Sequence, residues 1–130
     1  MRLVVVGAGG ALGRAFLGQA PSHHDVHAFT HAELDVGDYD AVMRGLVPLR
    51  PDAILNFAAF TGVDACESDS DHAYRGNAIG PQNLALAGRR CGAVLLHVST
   101  DYVFDGEKGA PYDELDHRSE ERRVGKECRL

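Results

Sequence analysis

Apolar residues concentrate along this chain in short, largely apolar runs, separated by longer stretches with helical spacing. Leu3–Val6, Val26–Thr30, Ala53–Asn56 and Ala93–Val98 are four such runs. The first is β-branched with no polar alternation, the pattern of a strand covered on both faces of a parallel sheet. Between the runs, Arg14–Leu17 is compatible with a helix. Asp38 is placed to cap a second helix over Tyr39–Val47, with Val42 and Leu46 on one face and Pro48 just past its end. A longer helix is predicted over Asp71–Arg90, with Ile79, Leu84 and Ala87 turned inward. Pro81 kinks it or delays its start, and Gly92 stops it. Strand and helix alternate throughout. The expected fold is α/β, a doubly wound parallel sheet of about four strands in the order 3-2-1-4, with right-handed crossovers. No internal repeat or low-complexity segment interrupts the pattern.

The junctions carry the chemistry. Directly after the first strand comes Gly7-Ala8-Gly9-Gly10-Ala11-Leu12-Gly13, a GxxGxxG spacing that leads into a helix. Glycine is needed at such a junction for a tight turn, for close backbone approach to a pyrophosphate and for close helix–sheet packing. The helix N-terminus adds free amides and partial positive charge. This context predicts a dinucleotide site. At the end of the fourth strand stands Ser99-Thr100-Asp101-Tyr102-Val103-Phe104-Asp105-Gly106. The carboxyl ends of strands are where open α/β sheets place ligands, so a hydroxyl pair followed by Asp and Tyr reads as part of an active site. The third strand runs into Asn56-Phe57-Ala58-Ala59-Phe60-Thr61-Gly62-Val63-Asp64, where small residues let backbone approach a flat cofactor.

The Ser99–Gly106 string closely resembles the corresponding segment of dTDP-4-dehydrorhamnose reductases, sugar-nucleotide enzymes of the extended short-chain dehydrogenase/reductase superfamily. The glycine spacing is also similar to that superfamily's, and the resemblance covers residues 1–117. It implies a Rossmann-like domain and the reduction of dTDP-4-dehydro-β-L-rhamnose to dTDP-L-rhamnose by hydride transfer from NADPH, with NADH a second candidate. Cofactor contacts are implied for Gly7, Gly10, Ala11, Leu12, Gly13 and Arg14 at the first turn, and for Asp35 and Val36 along the adenine. Ala58, Ala59 and Phe60 are implied beside the nicotinamide ribose, with Ser99 on the ribose and Asn77 bracing the strand ends. Thr61, Val63, Thr100, Asp101 and Tyr102 are implied as substrate contacts. Thr100 is the expected catalytic residue: its hydroxyl can donate to the ketone oxygen as negative charge develops. No acid follows the second strand at Thr30-His31-Ala32, where NAD enzymes commonly carry one. Relatives often have arginine where His31 stands, and Arg14 is placed to serve a 2′-phosphate instead, which leans toward NADPH.

One part of the superfamily's pattern is missing. Its Tyr-x-x-x-Lys pair, in which the tyrosine donates the proton, has no counterpart here: Tyr102 is followed four residues on by Gly106, and Tyr112 by Asp116. General acid catalysis is worth about a hundredfold to ten-thousandfold, so the chain by itself is expected to be nearly inert. Arg118–Arg129 resembles the conceptual translation of a sequencing-library adapter. The expected division is therefore 1–117 as a truncated NAD(P)-binding domain of a longer protein, with 118–130 non-native.

Charge and cysteines narrow the class. The net charge of −6 among 130 residues argues against a general nucleic-acid binder. The segment 118–130 carries five basic and three acidic residues, and without it 8 Lys+Arg face 16 Asp+Glu. Cys66, Cys91 and Cys128 have no framework spacing, which suits reduced thiols in the cytoplasm. No apolar run has the length of a membrane span, and no metal-ligand motif is complete. The expected partner is a nucleotide sugar, with neither membrane nor nucleic acid, and a homodimer is compatible with the longer protein. Two other readings stand beside the reductase. One is a non-enzymatic regulator like the regulatory subunit of eukaryotic methionine adenosyltransferase, which resembles the same reductases. The other is a nucleotide-sugar epimerase of the superfamily, less favoured because those usually begin Thr-Gly where Val6-Gly7 stands.

Overall fold

The structure, a computed structural model, describes residues 1–20, 22–100 and 103–118. Its elements alternate as the apolar runs predict: β1 (Arg2–Val6), α1 (Ala11–Gln19), β2 (Asp25–Phe29), α2 (Tyr39–Leu46), β3 (Ala53–Asn56), α3 (Val63–Ser68), α4 (Ser70–Tyr74), α5 (Gly80–Cys91) and β4 (Val94–His97). Residues Met1–Val98 form one compact unit and Ser99–Leu130 a second.

All four strands are parallel, in the order β2-β1-β3-β4. This corrects the expected order 3-2-1-4. The third strand lies against β1, with Leu3 opposite Ala53 and Val6 opposite Asn56, and not beyond β2. Burial accounts for it: Ile54 of β3 joins Val4 and Val6 in the core, whereas β2 has no buried residue and takes the edge. In the turn after β2, Glu33 and Leu34 donate back to the Thr30 carbonyl at 3.1 and 3.0 Å. Leu34 and Val36 still bury into the core. The crossover through α2 then returns to the free edge of β1. Two right-handed crossovers running in opposite directions place helices on opposite faces of the sheet, and β1 becomes the fully covered central strand.

Val4, Val5 and Val6 are at most 1% exposed, which accounts for the lack of alternation in their sequence. Val4, Val6 and Ile54 pack with Val42 and Leu46 of α2 and with Leu84 and Ala87 of α5. The α2 cap forms as expected: Asp38 Oδ1 accepts from the Ala41 amide at 3.0 Å. This bond, above all, holds the Asp38 carboxyl below its ordinary pKa. The long predicted helix runs without a gap from Ser70 to Cys91 but is irregular: Arg75–Ile79 is a π-helical turn between α4 and α5, and Pro81 follows it in the first turn of α5. Ile79 is half-buried. Gly92 ends α5 in the left-handed conformation at φ 71°.

On the other sheet face, Leu3, Ala53 and Val94 share one row and Val5, Leu55 and Leu96 the next. Leu3 and Val5 are buried, yet Val94, Leu96 and Val98 are 69%, 50% and 45% exposed. This corner of the sheet is apolar and open within the first unit. No helix among the described residues is long and apolar enough to cross a membrane.

Candidate functional site

The reversal of strand order between β1 and β3 leaves a crevice at their carboxyl ends, the place where doubly wound sheets bind ligands. Two turns meet there. Gly7 has φ +77°, and a Cβ on it would stand 2.4 Å from the Ala58 nitrogen and 2.5 Å from the Phe57 carbonyl carbon. Only glycine lets the β1 turn pass so close to the β3 turn. A Cβ on Gly13 would lie 2.4 Å from the Gly7 carbonyl oxygen, so the helix presses equally closely against its own turn. Gly10 is the N-cap of α1 and supplies no capping side chain. The first amides of a helix have no intrahelical acceptor, and here those of Ala11, Leu12 and Gly13 are aligned for an anion. Arg14, in the same turn, donates to the Gly9 carbonyl.

Two buried or bracing amides shape the β3 side. Asn56 is 1% exposed; its Oδ1 accepts from the Ala58 amide at 3.0 Å. That bond orients the side chain, so Nδ2 donates to His97 Nδ1, 3.0 Å away on β4. Asn77, in the π-helical turn, accepts from the Phe60 amide at 2.8 Å and donates to the Phe60 carbonyl at 2.9 Å. A side-chain amide thereby completes the backbone of residue 60 as a neighbouring strand would. Phe60 in turn packs edge-on against His72, centroids 4.6 Å apart.

The resulting cavity holds about 460 Å³, within the roughly 300–1,000 Å³ of small-molecule and cofactor sites. Of the expected cofactor residues, Gly7, Gly10, Asp35, Val36, Ala58, Ala59 and Phe60 line it. Ala11, Leu12, Gly13 and Arg14 form the adjacent first turn of α1, and Asn77 stands behind Phe60. Thr61 is exposed just ahead of α3, and Val63 opens that helix. Ser99 and Thr100 belong to the second unit, where the Thr100 carbonyl accepts from the Val103 amide at 3.4 Å. Asp101 and Tyr102 lie outside the described residues. Phe57 also lines the cavity, within the stretch after β3 that the sequence singled out, as do His72, Arg75 and Gly76, which carried no signal in the sequence. Arg75 reaches Asp35 from forty residues away, and α4 offers no motif that would single out His72.

At the end of β2, Glu33 accepts from both the amide and the hydroxyl of Thr30, each at 2.8 Å. These bonds, the amide first, hold its carboxyl below the ordinary value. The acid is thus turned onto its own loop, while His31 faces the cavity.

The RmlD substrate-binding domain family model matches residues 1–126. The chain belongs to this family. The match extends into the segment 118–130. The chain is 46% identical over 120 residues to the dTDP-4-dehydrorhamnose reductase of Mycobacterium tuberculosis, covering 88% of this chain and 39% of that protein. Among solved structures, that of a dTDP-4-dehydrorhamnose reductase from Clostridium acetobutylicum superposes with a TM-score of 0.86 at 40% identity, over 92% of this chain and 43% of the other. The enzyme from Bacillus anthracis, crystallised in complex with NADP, gives 0.86 at 36% identity, over 91% and 42%. The chain therefore spans about two-fifths of the length of these relatives.

Proposed function

We propose that this chain is the dinucleotide-binding half of a reductase that takes dTDP-4-dehydro-β-L-rhamnose to dTDP-L-rhamnose, with NADPH as the hydride donor. The observation that carries the proposal is the cavity at the strand-order reversal, bounded by the Gly7–Gly13 turn and the small residues Ala58 and Ala59. Gly7 and Gly13 allow the close backbone packing of turn, helix and β3 loop that shapes it, and the α1 amides suit a pyrophosphate. The NADP bound to the Bacillus anthracis relative supports the choice of cofactor. When bound, the nicotinamide supplies the hydride. The chain's own residues bind and orient it: Gly10–Arg14 at the phosphates, Asp35 and Val36 at the adenine, and Ala58–Phe60, braced by Asn77, along the ribose.

Thr100 donates its hydroxyl to the ketone oxygen as charge develops there, with Ser99 on the ribose and Thr61, Val63, Asp101 and Tyr102 on the sugar. The 130 residues contain no Tyr-x-x-x-Lys pair, so turnover belongs to a longer protein that carries one, in the cytoplasm. The division at 117, with 118–130 foreign to the domain, is part of the same reading. The test is reduction of the 4-keto nucleotide sugar by that longer protein, wild type against Thr100→Val. The expected result is turnover with NADPH and a loss of about a hundredfold to a thousandfold in Thr100→Val, the usual effect of removing one such donor. A protein with an intact Tyr/Lys pair that binds NADPH and turns over none of this substrate would instead be a regulator.

A further inference from the structure

Asp35 is gripped on both carboxylate oxygens. The Gly37 amide donates to Oδ1 at 2.8 Å, and Arg75 Nη2 donates to Oδ2 at 2.8 Å. Arg75 reaches it by lying across Gly37: a Cβ there would stand 2.5 Å from Arg75 Cγ and 2.6 Å from Nε. Gly37 is not among the glycines of positive φ, so its backbone does not call for glycine, but the path of Arg75 does. Arg75 opens the π-helical turn, an irregularity frequent at functional sites, and both partners line the cavity. Their side chains are 54% and 41% exposed. A pair this exposed adds little to folding, so stability does not account for the arrangement.

Resting on the dinucleotide reading above, we propose that Arg75 is a positioning residue that fixes the Asp35 carboxylate to accept the exocyclic amino group of adenine, and that Gly37 is the space it requires. An ionised carboxylate only accepts hydrogen bonds, and each oxygen has two lone-pair sites. One site on each oxygen is taken by Gly37 or Arg75, and one remains for the base. Such a carboxylate selects a base edge bearing an amine and repels one bearing a carbonyl. Freed from Arg75, a half-exposed carboxylate rotates into water and the selection is lost.

The experiment titrates this chain with NADPH and with its hypoxanthine counterpart, whose base carries a carbonyl in place of the amine. The wild type should bind NADPH about tenfold to a hundredfold more tightly, the value of one hydrogen bond to a charged group. Arg75→Met and Gly37→Ala should each bring the ratio near one by weakening NADPH, and Arg75→Lys should keep most of it. A mere loss of positive charge near the phosphates would weaken both nucleotides alike and leave the ratio unmoved. Variants that keep the wild-type ratio overturn the proposal, as does a wild type that binds both nucleotides equally. A folded wild type that binds neither overturns the dinucleotide reading itself, and this inference with it.

Discussion

The same substitution at two glycines of α1 should move stability in opposite directions. Gly13 and Gly18 both lie in the helix Ala11–Gln19, and replacing a helical glycine by alanine gains about 0.8–1.0 kcal/mol of intrinsic propensity. At Gly18 a Cβ meets nothing within 4 Å, so that gain stands alone. At Gly13 the Cβ would meet the Gly7 carbonyl oxygen at 2.4 Å, Ala8 Cα at 2.8 Å and the Ala8 carbonyl carbon at 2.9 Å. All three are backbone atoms of the turn, with no rotamer to yield. Overpacking of this kind typically costs about 1–3 kcal/mol, which offsets the propensity and leaves a net loss of up to about 2 kcal/mol. For a unit of 98 residues, 1 kcal/mol shifts Tm by about 4–8 °C. Thermal and urea melts of the two variants should place Gly18→Ala above wild type and Gly13→Ala below it. NADPH binding should weaken in Gly13→Ala alone, because the turn that moves is the one proposed to cradle the phosphates. Equal stabilisation by both substitutions would refute the close approach on which the site is built.

Three further outcomes concern the core amide, the carboxylates and the open sheet corner. Asn56→Leu should destabilise the chain by about 1 kcal/mol, the net value of the hydrogen bond to the partly buried Ala58 amide, and a urea midpoint unchanged from wild type would contradict the role given to Asn56. Asp25 (chiefly through Arg2), Glu33 and Asp38 all have folded-state pKa values below their ordinary ones. Their stabilisation is therefore complete above the unfolded values of about 4 and is lost as pH falls through the lower folded values; Tm should hold from about pH 7 to 5 and drop below about 4, and a Tm rising on acidification would reverse the sign. Val94, Leu96 and Val98 leave an apolar sheet corner in the open, so size-exclusion chromatography should show concentration-dependent association that Leu96→Lys reduces. A clean monomer at high concentration would contradict that.

The elements were legible because burial on β1 is two-sided and leaves its mark as an unbroken apolar run. The caps were legible because Asp38 and Gly92 act within a few residues of themselves. The glycine turn was readable for the same reason: its demands are local. The strand order was not. Whether Ala53–Asn56 pairs beside β1 or beyond β2 is a choice between two sheet edges, and the apolar pattern within the strand is the same for both; its pairing with β1 is set by contacts between distant segments. The irregularity at Arg75–Ile79 was visible only as Pro81, which announces a kink or a late start and not the π-helical turn before it. Arg75, His72 and the bracing of Phe60 by Asn77 rest on contacts between distant segments, and pattern along a chain does not encode those.

The central claim is that the crevice between β1 and β3 binds a reduced dinucleotide through the N-terminus of α1. The most direct measurement is calorimetric titration of NADPH into the folded chain and into Gly10→Glu, which places a carboxylate and its bulk at the helix N-cap. Saturable binding at one site is expected for the wild type and none for Gly10→Glu, with both samples giving the same circular dichroism spectrum. Binding that Gly10→Glu leaves unchanged, or a folded wild type that shows no saturation, would contradict it.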